Sequence, residues 1–217
     1  MIHILETDSV QLQFNGRIIL SDIYLRLDTG KITGLLGGNG EGKTCLMKMI
    51  HGSLQGDKSV RVDKRSYNEP YKKRGLLLYL PQFSFIPKSL SLKRIFKDFE
   101  LDYDIFQKRF PEFAAKHTKA AGSLSGGELR LVELYVTVKP VAQFALLDEP
   151  FTHLNPLQIE KVKALLIEEK TNKGLLITDH MYRHITTICD SLYILINGKT
   201  HLAKSAADIE RLGYARL

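Results

Sequence analysis

Gly37-Gly38-Asn39-Gly40-Glu41-Gly42-Lys43-Thr44 is the stretch on which the reading of this chain turns. It satisfies the phosphate-binding loop pattern GxxxxGK[ST] at every position. Lys31–Leu36 (KITGLL), just before it, reads as a short buried strand, and Lys43–Ile50, just after it, reads as a helix. That strand–loop–helix context separates a working phosphate loop from a glycine-rich turn that happens to precede a helix. Glycines let the backbone curl so that successive N–H groups point inward at phosphate oxygens. The positive end of the following helix adds to that field. Lys43 supplies a point charge for β- and γ-phosphates, and the Thr44 hydroxyl is placed to ligate Mg²⁺. Cys45 follows directly, beside the phosphates. A helix N-terminus lowers a thiol pKa, so modest sensitivity to alkylation is expected, with protection by bound nucleotide.

The pattern outward from this loop alternates strands and helices. Val10, Leu12 and Phe14, then Ile23, Leu25 and Leu27, follow a period of two, with the hairpin signal Asn15-Gly16 between them. Leu76–Leu80, Gln143–Leu147, Leu175–Thr178 and Leu192–Ile196 read as further strands, and Asn197-Gly198 as a second hairpin turn. Helices are expected after Gly126-Gly127, from Asn155-Pro156 through Ile167, and over Met181–Cys189. Strands that alternate with helices imply a parallel core sheet. From Ser91 to Ala121 the periodicity is helical, with Ile95, Phe96, Phe99, Ile105, Phe106 and Phe110, caps at Ser91 and Asp102 and a break at Pro111. This stretch interrupts the alternation and is expected to form a separate lobe.

The chain has 217 residues, is 44% hydrophobic and 25% charged, and carries a net charge of +7. This is an ordinary globular composition. No apolar run approaches the roughly 20 residues a membrane helix needs, and the N-terminus lacks signal-peptide character, so an intracellular protein is expected. Its two cysteines, Cys45 and Cys189, match no metal-site spacing and are expected as buried thiols in a reducing compartment. Lys58, Arg61, Lys64, Arg65, Lys72, Lys73 and Arg74 form a basic run diluted by Asp57, Asp63 and Glu69. It reads as a solvated face in preference to the alternative, a nucleic-acid or anionic-lipid patch, and no aromatic-rich RNA-binding signature accompanies it.

Two further segments bear on chemistry. Phe144-Ala145-Leu146-Leu147-Asp148-Glu149 is an apolar strand ending in two acids. Asp148 is suited to hold Mg²⁺ and Glu149 to orient and deprotonate an attacking water. Leu124-Ser125-Gly126-Gly127-Glu128 opens a helix with a serine hydroxyl, exposed N–H groups and a positive helix end. That is a second phosphate-binding surface, which suggests that two chains share each nucleotide. The same residues also fit a plain cap and turn.

The order GGNGEGKT, LPQ, LSGGE, FALLDEP and ITDH resembles the ATP-binding subunit of ABC transporters, over nearly the whole chain. The resemblance implies an α/β fold: a P-loop ATPase core with a parallel sheet, an N-terminal antiparallel β subdomain and a small helical subdomain. Residues 1–82 and 140–217 would form the core with its β subdomain, and 83–139 the helical subdomain with the signature sequence. It implies that Phe14 stacks on adenine, where an ordinary strand residue is the alternative. Gly37, Gly38, Asn39, Gly40, Glu41, Gly42, Lys43, Thr44 and Cys45 would bind the nucleotide. Gln82 would sense Mg²⁺ and the γ-phosphate near the transmembrane partner. Ser125, Gly126, Gly127 and Glu128 would meet ATP held by the other subunit. Thr44, Gln82 and Asp148 would organise the metal, and Lys43, Glu149 and His180 would carry catalysis, His180 as the switch histidine on the γ-phosphate.

The implied function is an ATP-binding and ATP-hydrolysing subunit that powers a membrane transporter through ATP-dependent closure of a homodimer. Its partners would be a second ATP-binding subunit and transmembrane permease subunits, with no nucleic acid. It would lie peripherally on the cytoplasmic face of the inner membrane through those partners. Soluble ATPases of this type in iron–sulfur assembly, cell division or nucleic-acid-linked work remain the alternative. The pieces DEPF and LLITDH look like the branch with lipopolysaccharide-export and branched-chain amino-acid-uptake ATPases. The chain also departs from the family. Glu128 replaces glutamine, and Leu129-Arg130-Leu131 keeps only part of the usual basic run. Asn155 stands where aspartate is typical, which bears on coupling between subunits. The helical lobe is short.

Overall fold

The computed structural model describes residues 2–180, 182–203 and 208. The chain runs β1 (Ile4–Phe14), β2 (Arg17–Leu20), β3 (Leu25–Asp28), β4 (Ile32–Gly37), α1 (Lys43–His51), β5 (Asp57–Val62), β6 (Arg65–Ser66) and β7 (Leu77–Leu80). It continues with α2 (Leu92–Asp98), α3 (Tyr103–Arg109), α4 (Gly126–Val138), β8 (Phe144–Asp148), α5 (Pro156–Glu169), β9 (Gly174–Thr178), α6 (Tyr182–Thr186), β10 (Ser191–Ile196) and β11 (Lys199–Ala203).

The apolar runs become the central strands of a six-stranded sheet in the order β11-β10-β4-β9-β8-β7. Every neighbouring pair from β10 to β7 is parallel, and β11 returns antiparallel at the edge through the Asn197-Gly198 turn. Successive side chains point to opposite faces, so each strand feeds two cores. Ala145 and Leu147 of β8, with Leu175 and Ile177 of β9, join one apolar cluster; Phe144, Leu146 and Leu176 join the other. The first cluster takes in α4, α5 and the aromatic side chains of α2 and α3. The second takes in α1 and the inward residues of β1, β3 and β5. The parallel sheet is therefore the middle layer, with an antiparallel sheet and α1 on one side and the other helices opposite.

The antiparallel sheet is built on β1, which pairs with β2, β3 and β5 in turn. The turn into β2 carries Asn15 and Gly16 at φ of 48° and 78°, the signs a two-residue hairpin requires. The strand β5 lies inside the basic run read as a solvated face. Val60 and Val62 point inward, while Arg61 pairs with Asp8 on β1 and the Lys58 ammonium donates to Met49 O at 2.8 Å.

In the helical stretch, Ser91 and Asp102 cap α2 and α3 and Pro111 ends the regular helix. Ile95, Phe96, Phe106 and Phe110 are buried as expected, but Phe99 and Ile105 face outward. The stretch has no core of its own: its aromatic side chains belong to the same cluster as Leu147 and Ile177. The helix expected over Met181–Cys189 is short, at Tyr182–Thr186, and Met181 lies outside the described residues. Asn155 caps α5, accepting from the N–H of Gln158 at 3.0 Å, a role in which asparagine and aspartate are near-equivalent.

Candidate functional site

The three inner strands β4, β9 and β8 are neighbours and end on the same side of the sheet. Their carboxyl ends deliver, in order, the glycine-rich loop, Asp179-His180 and Asp148-Glu149. In open parallel sheets ligands bind just beyond such ends. A cleft of about 560 Å³ lies there, lined by Phe14, Asn39, Gly40, Gly42, Lys43, Thr44, Cys45, Gln82, Glu149 and His180. Residues far apart in sequence and singled out for separate reasons thus share one surface.

The loop is shaped around the Lys43 side chain, whose ammonium donates to Gly37 O at 2.7 Å and Gly38 O at 3.0 Å. Gly37 and Gly38 contribute through these carbonyls and do not line the cleft. Gly42 sits at φ 101°, and a Cβ there would lie 2.9 Å from Ile19 Cγ2. The first turn of α1 holds no acidic residue and its N-cap makes no side-chain bond, so the positive helix end is uncompensated. Burial pushes the Lys43 pKa down, opposed by the carboxylates of Glu149, Asp148, Glu41 and Asp179. A buried cation facing free helical N–H groups is a site that an anion relieves. Glu41 accepts instead from the N–H of Asn197 at 2.8 Å, which ties the loop to the end of β10.

The acids divide by environment. Asp148 is buried and accepts from Thr178 Oγ1 at 2.8 Å and Tyr79 Oη at 3.2 Å. Glu149 faces the cleft from a left-handed backbone position, φ 49°, its N–H donating to Thr178 O at 2.9 Å. Its Oε2 lies 3.8 Å from His180 Nδ1 and accepts from Thr152 Oγ1 at 3.3 Å. Half of the His180 side chain is exposed, and its Nδ1 is 3.5 Å from Asp179 Oδ1. Among the described residues no group of three or more His, Cys, Asp or Glu side chains is arranged to hold a metal. Hard oxygen donors in small number suit Mg²⁺, which takes one or two protein ligands and completes its shell with phosphate and water. Asp148 and Thr44 fit that pattern.

Ser125, Gly126, Gly127 and Glu128 are not part of this cleft. Ser125 caps α4: its Oγ accepts from Glu128 N at 3.3 Å, and its own N–H donates to Glu128 Oε2 at 2.9 Å. The Glu128 carboxylate also pairs with Lys116. Burial would raise its pKa, and the bonds from Lys116 and Ser125 outweigh that and hold it low. So Glu128 completes the capping box that the Ser125-x-x-Glu128 spacing allows. A Cβ on Gly127 would lie 2.5 Å from the His153 carbonyl oxygen, so only glycine fits there. The arrangement leaves a serine hydroxyl and helical N–H groups at a second surface of the same chain.

Both thiols are partly buried and unpaired. The expectation for Cys45 is corrected here: burial raises its pKa, with Lys48 only partly opposing. Iodoacetamide should therefore label Cys45 more slowly than a free thiol, with ATP slowing it further because Cys45 lines the cleft. Labelling at the free-thiol rate by mass spectrometry would contradict this.

Sequence reading missed Tyr79 and Thr178, which hold Asp148, and the buried charges Arg130 and Glu133 on α4. Two charged residues inside an apolar helical run, at an i,i+3 spacing, were the available signal.

Comparison with known proteins completes the assignment. The ABC transporter family model matches residues 20–152. The lipopolysaccharide export system ATP-binding protein LptB of Acidithiobacillus ferridurans is 31% identical, covering 96% of this chain and 93% of its own length. LptB of Escherichia coli K12 is 32% identical over 85% of this chain and 83% of its own. Among solved structures, an ATP-binding subunit of an ABC transporter superposes with a TM-score of 0.81 at 22% identity, covering 97% of this chain and 94% of that one. A nucleotide-free ATP-binding cassette gives 0.79 at 20%, covering 98% and 96%. The chain belongs to the ABC transporter family, as one of its ATP-binding, ATP-hydrolysing subunits.

Proposed function

We propose that a pair of these subunits closes head-to-tail on ATP and Mg²⁺, and that the closing motion drives transmembrane permease subunits. The observation that carries this reading is the presence, in one chain, of two phosphate-accepting surfaces that do not meet: the Lys43 cleft and the Ser125–Gly127 helix start. A single copy leaves each half-used. A second copy completes both, so ATP bridges the pair and hydrolysis removes the bridge.

Within the cleft, Phe14 stacks on the base, its ring half exposed beside the loop. Loop N–H groups between Asn39 and Cys45 and the Lys43 ammonium, which the Gly37 and Gly38 carbonyls position, hold the phosphates. Glu149 takes the proton of the attacking water, while Thr152 and His180 orient its carboxylate. His180 also holds the γ-phosphate. Thr44, Gln82 and Asp148 would hold Mg²⁺, which when bound neutralises charge developing on the phosphate oxygens. The Ser125 hydroxyl, with its oxygen accepting in the cap, keeps its hydrogen free to donate to the partner's ATP, and the α4 helix end that Glu128 buttresses adds N–H groups.

Residues 1–82 and 140–217 are read as the core with its β subdomain, and 83–139 as the helical subdomain. No helix among the described residues is long and apolar enough to cross a membrane. Attachment at the cytoplasmic face through partner subunits is supported by Phe83 and Phe85, exposed apolar rings immediately after Gln82. Relatives named for lipopolysaccharide export support a place in that branch. Pairing of Arg61 with Asp8 and of Lys72 with Glu69 supports a solvated basic face with no nucleic-acid partner.

The test is a pull-down of tagged Glu149→Gln from native membranes in mild detergent with ATP and Mg²⁺. A stoichiometric polytopic membrane protein is expected, and its identity would give the cargo. Recovery of only a soluble partner or of nucleic acid would overturn the transport reading.

A further inference from the structure

Arg130 and Glu133 lie about one turn apart on α4 and are almost wholly buried, at 4% and 2% exposure. Neither lines the cleft. Burying two charges is expensive, and a separation of 3.6 Å recovers only part of the cost. Hydrogen bonds to other segments offset more of it, with Arg130 Nε alone of the guanidinium nitrogens left without a partner. Arg130 Nη1 donates to Pro81 O at 2.8 Å, and Nη2 donates to Asp148 O at 2.6 Å and Glu149 O at 2.9 Å. Glu133 Oε1 accepts from Ser84 Oγ at 2.5 Å and from the N–H groups of Phe85 and Ile86 at 3.0 and 3.4 Å.

These partners fall in two places. Pro81, Ser84, Phe85 and Ile86 bracket Gln82 and the exposed Phe83. The carbonyls of Asp148 and Glu149 bracket the carboxylate read as the base. Glu149 occupies a left-handed conformation, which is strained for a non-glycine residue and persists only when its surroundings enforce it. Its N–H is fixed by Thr178 O, and its C=O is fixed by Arg130. A planar fork reaches several divergent carbonyls at once, which an ammonium cannot match. The helix that carries both charges begins at Ser125–Gly127.

We infer that Arg130 and Glu133 are a positioning pair for ATP hydrolysis, locking the Gln82 segment, the Glu149 peptide and the signature helix into one moving unit. Neither touches ATP. The pair transmits displacement of the Gln82 segment to the angle of the Glu149 carboxylate. This rests on the reading of Glu149 as the base and Gln82 as the γ-phosphate sensor. A mere packing staple would hold the fold without governing turnover.

The chain contains no tryptophan, so Phe83→Trp adds a sole indole next to Gln82. In that background, Arg130→Met with Glu133→Gln removes both charges together and strands neither, while Arg130→Lys keeps the charge and loses the fork. The double variant is expected to lose about 10–100-fold in kcat, the scale seen when residues that orient catalytic ligands are removed. KM for ATP should stay unchanged, and Arg130→Lys should fall between. The indole emission change on adding ATP should disappear in the double variant. A wild-type kcat, an unaltered indole response, or a kcat loss matched by an equal rise in KM would overturn the inference. If the double variant does not fold, Arg130→Lys decides alone: lower kcat at constant KM supports the pair, and wild-type kcat sinks it. Glu149→Gln, run in parallel, separates the two readings. Full turnover there removes the base assignment, whereas an inactive Glu149→Gln beside a fully active double variant removes only the positioning pair.

Discussion

Glu149→Gln should lose about 10²–10⁴-fold in ATP turnover, the range that general-base catalysis contributes, while still binding ATP. Glutamine has nearly the same shape, so the contacts from Thr152 and the left-handed backbone, set by Thr178 and Arg130, are kept. What disappears is the capacity to accept a proton. ATP that binds and does not turn over should hold two subunits together, and light scattering should show a dimer with ATP and a monomer with ADP. Steady-state turnover at the wild-type rate would remove Glu149 from the role. A variant that is inactive but stays monomeric with ATP would spare the base assignment and reject the shared-nucleotide arrangement.

Lys43→Ala is expected to have the largest effect on binding. Its ammonium is the one cation of the phosphate loop, and hydrogen bonds to charged groups contribute about 1.5–3 kcal/mol, or about 10- to 150-fold in affinity. In the ligand-free protein the same side chain is held against its preference, its pKa lowered by burial. Removing it should therefore leave the ligand-free melting temperature nearly unchanged. The response to nucleotide should collapse. ATP at 100 times the wild-type Kd stabilises by about 2.7 kcal/mol, a rise of about 5–11 °C for a domain of this size. A hundredfold loss of affinity reduces that to about 0.4 kcal/mol, or roughly 1 °C. A full ATP-induced shift in Lys43→Ala, measured by scanning fluorimetry, would show that the loop binds phosphate without it.

Much of the fold could be read because its central strands are buried on both faces and appear as unbroken apolar runs such as FALL and GLLIT. The loop, the Asp148-Glu149 strand end and His180 were legible for a related reason: each sits where an apolar run stops. The strand β5 was not, because Lys58 and Arg61 are charged residues whose partners, Met49 O and Asp8, lie elsewhere in sequence. Only Val60 and Val62 betray it. Phe99 and Ile105 belong to the same helical periodicity as the buried Ile95, Phe96, Phe106 and Phe110, yet they face solvent; periodicity shows a helix without saying how wide its covered face is. Cys45 shows a further limit. Chain position suggested an activated thiol, but the reach of its apolar neighbours, invisible in sequence, sets the direction of its pKa. Arg130 and Glu133 escaped notice because charge on a helix usually means solvent, and nothing local says that their partners are backbone groups of two distant segments.

The aromatic side chains of the helical stretch share one apolar cluster with Leu147 and Ile177 on the parallel sheet. That continuity bears on how the molecule melts and on what can be cut away. Excising residues 83–139 would uncover a face of the sheet and leave an aggregation-prone slab. Calorimetry of the whole chain should give a single endotherm, and slow amide exchange should span Tyr135 on α4 and Leu147 on the neighbouring strand alike. A rotation of the helical part relative to the sheet must slide within this shared layer, so the amplitude of that rotation is bounded by how far Phe96, Phe106 and Tyr135 repack.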